Sequence, residues 1–324
     1  MKPKIVVTGG AGYIGSHTCK ALAGDGYVPV TVDNLTSGHE WAVKWGPLEV
    51  ADIRDLDCLT EILERHAPAA VLHFAGSIEA GESVENPIKY YDNNVGGAIS
   101  LIAAMARTEC KSIVFSSTCA TYGAPEKQPI DEGTAQNPIN PYGRSKWMVE
   151  QILRDQASAV GMVPVMLRYF NACGADPDGE IGEAHEPESH LIPRAIMAAR
   201  GEIDRLDLNG VDYDTPDGTA IRDYIHVCDL AEGHLAALRR LQEGGGPSAF
   251  NLGTGRGASV REVIGAVERV SGRPVPLQVT HRRSGDMPVL VADTTRARNE
   301  LGFSPKYTDL DAIIETAWNW HVSR

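Results

Sequence analysis

The sequence predicts an α/β fold: a doubly wound parallel sheet carrying a smaller C-terminal α/β domain. Three observations predict it. Short apolar runs alternate with helical patterns through the first half, a glycine-rich turn joins the first run to the first helix, and the alternation fails past about residue 175.

The apolar runs are Ile5–Thr8, Val28–Asp33, Ala70–Ala75, Ile113–Ser117 and Val163–Arg168. Between them, Leu59, Ile62 and Leu63 mark one helical face, and Ile99, Ile102, Ala103 and Ala106 mark another. Continuous apolar strands separated by helices imply a parallel sheet covered on both sides. Such sheets bind ligands beyond the carboxyl ends of their strands. The segments from Asp176 to Ser189 and from Asn209 to Thr219 read as long polar loops, and loops of that length usually serve function. Helical patterns return at Cys228–Leu241 and Val260–Val270. Residues 1–175 are therefore expected to form the first domain, with later segments returning to it, and 176–324 mainly a substrate-covering one.

Composition narrows the partners. The 324 residues are 43% hydrophobic and 23% charged, an ordinary globular balance, with a net charge of −13. That charge repels nucleic acid and anionic membranes. Cysteines at 19, 58, 110, 119, 173 and 228 include no C-x-x-C pair, and no His/Cys cluster has zinc spacing. Free thiols in a reducing compartment, and no metal, are expected. Lys4-Ile5-Val6-Val7 reads directly as a strand with no signal peptide before it, and no apolar stretch approaches the roughly 20 residues that span a bilayer. A cytoplasmic protein is expected.

Thr8-Gly9-Gly10-Ala11-Gly12-Tyr13-Ile14-Gly15 follows the first strand and opens a helix. Glycine is needed where backbone turns sharply and where a side chain would collide with pyrophosphate. The helix N-terminus offers free amides and the positive end of its dipole to the phosphates. Asp33 ends the second strand, 18 residues beyond Gly15, where an acid would bind the adenosine ribose hydroxyls. It would repel a 2′-phosphate, and Asp33-Asn34-Leu35-Thr36 contains no arginine, so NAD is favoured over NADP. Together these features describe a Rossmann-like dinucleotide site.

The second signal is Tyr142-Gly143-Arg144-Ser145-Lys146. Asn140 can cap a helix that has Pro141 at its first position. On that helix Tyr142 and Lys146 stand four apart and share a face. A free tyrosine has a pKa near about 10, too high for a base at neutral pH. A neighbouring ammonium and an oxidised nicotinamide are expected to lower it. Tyr142 could then take a proton from a substrate hydroxyl while hydride leaves the same carbon. Ser116-Ser117-Thr118 ends the preceding strand. Thr118 can either share the hydrogen bond between substrate and Tyr142 or cap the following turn.

These elements resemble the extended branch of the short-chain dehydrogenase/reductase superfamily, and within it the UDP-glucose 4-epimerase family. Phe74-Ala75-Gly76, Gly81-Glu82-Ser83, Tyr90-Tyr91-Asp92-Asn93-Asn94-Val95, Arg168-Tyr169-Phe170-Asn171 and Arg222-Asp223-Tyr224-Ile225-His226-Val227 look like that family's signatures, in its order. The resemblance implies NAD-dependent inversion at C4 of a UDP-hexose through a 4-keto intermediate. Thr118 is followed by Cys119-Ala120-Thr121-Tyr122, without the acid that dehydrating or decarboxylating relatives place there.

By the same resemblance, the NAD contacts comprise Gly9, Gly12, Tyr13, Ile14, Asp33, Asn34, Ser37, Gly38, Asp52, Ile53, Phe74, Ala75, Gly76, Asn93, Ser116, Tyr142, Lys146 and Phe170. On the substrate side, Arg222 and Arg283 meet the diphosphate and Asn171 a phosphate. His190 with Leu191, and Asp207, Leu208 and Asn209, lie in the uridine region, and Asp286 at its ribose. Thr118 and Tyr142 face the sugar. His190 and His226 read equally well as ordinary hydrogen-bonded histidines.

The resemblance also implies a homodimer, packed through helices around Pro87–Met105 and Ser145–Asp155. Two positions depart from the family. Ile78 and Glu79 stand where some members carry a lysine. Leu290 stands where a bulky tyrosine or a small residue sets pocket size. The alternatives are a 4-epimerase of UDP-N-acetylhexosamines or of pentoses such as UDP-xylose, and a non-catalytic NAD-binding sensor.

Overall fold

The computed structural model describes residues 2–282 and 285–324. Its elements follow in chain order. The first half contains β1 (Lys4–Thr8), α1 (Tyr13–Gly24), β2 (Val28–Asp33), β3 (Leu48–Val50), α2 (Leu56–His66), β4 (Ala70–His73), α3 (Ala80–Glu85), α4 (Pro87–Tyr90), α5 (Gly97–Arg107), β5 (Ser112–Thr118), α6 (Pro141–Val160) and β6 (Val163–Tyr169). The second contains β7 (Asn171–Cys173), α7 (Leu191–Arg200), β8 (Leu206–Asn209), β9 (Ile221–His226), α8 (Val227–Gln242), β10 (Ser248–Leu252), β11 (Gly257–Ser259), α9 (Val260–Ser271), β12 (Leu277–Thr280), β13 (Val289–Leu290), α10 (Thr295–Leu301) and α11 (Leu310–Val322).

Seven strands form one parallel sheet in the order β10-β6-β5-β4-β1-β2-β3. The strand order reverses between β1 and β4, the place where such a sheet opens a crevice beyond its carboxyl ends. One face of the sheet is covered by Leu59, Leu63, Leu101, Met105, Val149 and Leu153 from α2, α5 and α6. The other is covered by Leu22, Leu230, Leu235 and Leu238 from α1 and α8. Each such fully buried side chain contributes roughly 1.5–3 kcal/mol. Segments after residue 175, joined by β7 from just before it, build smaller sheets, β11-β9-β13 with β7 on β9, and β12 on β8. Helices α7, α9 and α11 close a separate apolar cluster there.

One predicted face holds only in part, at Ile102 and the half-buried Ala103. On α5 the buried residues are Ala98, Leu101, Ile102, Ala104 and Met105, whereas Ile99 is 51% exposed and Ala106 is exposed. Small residues populate both sides of this helix, so apolar periodicity does not single out the inward one. The expected strand over Ala70–Ala75 ends at His73, because the Phe74 and Ala75 amides both turn to donate to the Thr8 carbonyl.

That turn explains Gly9. Its φ is +71°, and a Cβ there would stand 2.6 Å from the Ala75 backbone nitrogen. A Gly9→Ala substitution should cost roughly 1–3 kcal/mol, the scale of backbone strain, and loosen dinucleotide binding. Chemical denaturation of both proteins checks the first effect, and dinucleotide retention on gel filtration the second.

Candidate active site

The crevice is built where the loops after β1 and β4 meet. Helix α1 begins after Gly12, and among the described residues no side chain caps its first amides and no acid occupies its first turn. By contrast, Asp55, Asn140 and Ser259 cap α2, α6 and α9. The bare N-terminus of α1 is therefore free for an anion. A Cβ on Gly12 would meet one atom within 4 Å, the Gly9 carbonyl oxygen at 3.3 Å, so packing alone gives a weaker reason for glycine here than at Gly9. Gly15 is different: its Cβ would lie 2.2 Å from that same oxygen, which lets α1 press onto the loop. This geometry fits a pyrophosphate against Gly12.

Asp33 ends β2 beside this loop. Its carboxylate accepts from the Ala11 amide at 3.0 Å and the Leu35 amide at 2.9 Å, and burial raises its pKa. Gly38 keeps the carboxylate approachable, since a Cβ there would stand 2.8 Å from it. Asp52 accepts two hydrogen bonds from the Arg54 guanidinium and one from the Asn34 amide at 3.2 Å, which hold its carboxyl well below the usual range. Ile53 is buried, and its side chain lies where a Cβ on Gly97 would be, so its packing role is plain. Tyr13 donates to the Gly174 carbonyl at 2.6 Å, and Ser37 lines a small cleft with Ala11, Gly12 and Tyr13. Ile14 packs against the sheet.

The turn after β4 is held by a residue the sequence reading quoted but did not assign. Asn94 accepts from the Ser77 amide at 2.7 Å and donates to the Ser77 carbonyl and to Ser145 Oγ, both at 3.0 Å. Asn93 donates to Ser77 Oγ at 3.1 Å. Asn94 thus ties the Gly76–Ser77 turn to α6.

Helix α6 starts as expected. Asn140 Oδ1 accepts from the Gly143 amide at 2.8 Å, with Pro141 in the first turn. Lys146 Nζ donates to the Ser116 carbonyl at 3.1 Å and lies 3.4 Å from where a Gly76 Cβ would be, so it points at the crevice. Burial lowers its pKa to about 8. This chain's own surroundings push the Tyr142 hydroxyl well above the ordinary value. Burial is the largest cause, and the neighbouring Tyr169 adds to it, against an opposing hydrogen bond with Thr118. Desolvation outweighs what this chain's own groups supply. Thr118 Oγ1 also accepts from the Ala120 amide at 3.1 Å, so it does cap the following turn. Ser116 Oγ donates to Tyr169 at 3.1 Å.

Behind the tyrosine, α6 carries Glu150, fully buried and bonded to Arg168 Nε at 2.9 Å and Nη2 at 2.6 Å. Ser117 Oγ donates to Glu150 at 2.6 Å, and Arg168 reaches Tyr122 at 2.9 Å. This ion pair locks α6 to β5 and β6. It joins a helix to the strands on either side of it and carries no local motif, so sequence reading missed it.

The substrate side is less as foreseen. Arg222 is ion-paired with Asp286, which also accepts from the Tyr213 hydroxyl at 3.3 Å. Two predicted ligand groups thus hold one another in place. Arg283 lies outside the described residues. Leu208 is 1% exposed and packs in the core, which removes its side chain from any ligand, because strand alternation turns Asp207 outward and Leu208 inward. Asn209 is half-buried, Asn171 is exposed, and Leu191 packs on the α7 core. His190 is ion-paired with Glu183 and Glu188, which push its pKa up to about 11. His226 is structural: it is buried, bonded to the Cys228 amide and to Thr316, and stacked on Tyr307. Phe170 and Leu290 pack in one cluster with Tyr122.

The NAD dependent epimerase/dehydratase family matches residues 5–253. A UDP-glucose 4-epimerase of Rhizobium meliloti is 55% identical over 320 residues, 99% of this chain and 97% of that protein. The crystal structure of a UDP-glucose 4-epimerase from Brucella ovis in complex with NAD is 56% identical, with a TM-score of 0.96 over 98% of both chains. One from Bifidobacterium longum, in complex with NAD+ and UDP, is 39% identical, with a TM-score of 0.94 over 99% of this chain and 98% of that one. The crevice geometry and these likenesses agree: this chain belongs to the NAD dependent epimerase/dehydratase family.

Proposed function

We propose that this protein is an NAD-dependent isomerase that inverts C4 of a UDP-hexose, interconverting UDP-glucose and UDP-galactose through a 4-keto intermediate. The observation that carries the reading is Lys146, whose ammonium reaches the Phe74–Gly76 turn beside the glycine loop, with Tyr142 one turn earlier on the same helix. The near full-length likeness to UDP-glucose 4-epimerases supports the substrate.

The residues that would hold NAD are the Gly9–Gly15 loop at the pyrophosphate, Asp33 at the adenosine ribose, and Lys146 at the nicotinamide side. When bound, NAD supplies a reversible hydride acceptor for C4 and, oxidised, a positive charge beside Tyr142. That charge offsets the burial that otherwise raises the Tyr142 hydroxyl. Tyr142 takes the proton of the 4-hydroxyl as C4 becomes a ketone and returns it when C4 is reduced on its other face. Lys146 stabilises the phenolate, and Thr118 orients the hydroxyl. No acid follows Thr118, so nothing removes the C5 proton and the ketone returns to an alcohol. Arg222, freed from Asp286, would grip the diphosphate with forked donors.

The same reading divides the chain near residue 175 into a dinucleotide-binding part, rejoined by β10, and a mainly substrate-binding part. It also gives a cytoplasmic homodimer. Among the described residues no helix is long and apolar enough to cross a membrane. Exposed Ile88, Ile99 and Met148 on the two predicted dimer helices supply an apolar face.

The test is direct. Purified protein should convert UDP-galactose to UDP-glucose and back without added cofactor. Interconversion of UDP-xylose and UDP-arabinose alone, or of UDP-N-acetylhexosamines alone, would replace the substrate assignment. A protein inert toward all three pairs would be a sensor.

A further inference from the structure

We infer that Glu183, His185, Glu188 and His190 form a structural site for one divalent transition-metal ion, with zinc the best chemical match. The four side chains come from eight consecutive residues in the loop before α7, and each can bring a ligand atom within 4.8 Å of the others. Imidazole-to-carboxylate separations are 3.2 Å for His185–Glu183, 3.8 Å for His185–Glu188, 2.9 Å for His190–Glu183 and 3.2 Å for His190–Glu188. A tetrahedral ion with bonds of about 2.0–2.1 Å sets its ligand atoms about 3.3 Å apart. The four values bracket that distance.

Donor chemistry selects the class of ion. Two imidazoles with two carboxylates suit zinc and its neighbours, whereas magnesium and calcium require oxygen throughout. Four protein ligands leave no open position, which makes the site structural and not catalytic. A second feature points at a ligand. His185 Nδ1 is shielded from solvent and turned into the cluster, yet it makes no well-directed hydrogen bond among the described residues, even to Glu183 at 3.2 Å. The loop backbone is held independently: Trp320 Nε1 donates to the Glu183 carbonyl, and His39 bonds to the Ala184 carbonyl, each at 2.8 Å. An ion here would fasten the loop beside Tyr13 of the glycine loop, whose ring meets His185 edge-on at 6.3 Å. His190 would then face the ion and not the uridine. A search for cysteine and histidine spacing passes over the pattern, because half of its ligands are carboxylates.

The competing account is a charge network with no ion, in which the same side chains pair only with one another. The full-length protein, stripped with a chelator and dialysed against limiting zinc, should retain about one zinc per chain by elemental analysis. Cobalt(II) in its place should show the intense visible absorption of a tetrahedral site. His185→Ala and Glu188→Gln should each weaken zinc binding by more than about tenfold. Substoichiometric zinc in the unaltered protein would overturn the site, and that measurement needs no variant to fold. Unchanged binding in both variants would overturn it too, assigning the ion to adventitious surface groups. Metal content is read without reference to epimerisation, so its failure and that of the proposed reaction are separable.

Discussion

Tyr142→Phe is expected to lower turnover by about a hundredfold or more, the scale of a lost general base, while the protein keeps its dinucleotide. The two effects separate because the glycine loop and Asp33, which would hold NAD, do not depend on the phenol. The structure sharpens the reason for the loss. Burial raises the Tyr142 hydroxyl, and Lys146, itself lowered to about 8, donates to the Ser116 carbonyl. The phenolate is thus costly to form on this chain's groups alone, and the positive nicotinamide must contribute. Steady-state rates with UDP-galactose, together with the NAD content of each preparation, check both halves. An unchanged rate would remove Tyr142 from its role.

Glu150→Gln should destabilise the protein by about 3–5 kcal/mol, the cost of leaving a buried charge unpaired. The amide keeps the volume of the carboxylate, but the Arg168 guanidinium, 1% exposed, loses its charged partner. Only one oxygen is left to accept from Ser117 and the guanidinium, and an NH2 group stands where the second oxygen met Arg168 Nη2. Because Glu150 lies two turns beyond Tyr142 on α6, the damage should also reach turnover. Adding Arg168→Met should recover much of the stability, since neither buried charge is then left without its partner. Denaturant unfolding of the single and double variants measures this. A single variant as stable as the parent would show that the pair does not anchor the helix.

The local parts of the site were legible in the sequence. The Gly9–Gly15 turn, Asp33 at a strand end and the Asn140 cap with Pro141 each arise within one element or turn, where spacing and residue type report geometry. The parallel sheet followed for the same reason, although the return of β10 to its edge was foreseen only in general. Contacts between distant segments were not legible. Arg222 and Asp286 stand 64 residues apart, and nothing in either neighbourhood announces that they pair. Asn94 sat inside a quoted motif, yet its hold on Ser77 depends on how two loops meet. Nor could spacing show that burial dominates at Tyr142, because desolvation depends on the whole surrounding fold. The inward turn of the Leu208 side chain was hidden for a simpler reason: in a two-residue repeat, one step along the strand exchanges core for surface.

Epimerisation of UDP-galactose in heavy water tests the central claim most directly. If C4 is oxidised and reduced within one closed pocket, the hydrogen on that carbon never exchanges with solvent, and the UDP-glucose formed should carry no carbon-bound deuterium at C4 or C5. Deuterium at either carbon would mean that the hydrogen left as a proton, contradicting hydride return.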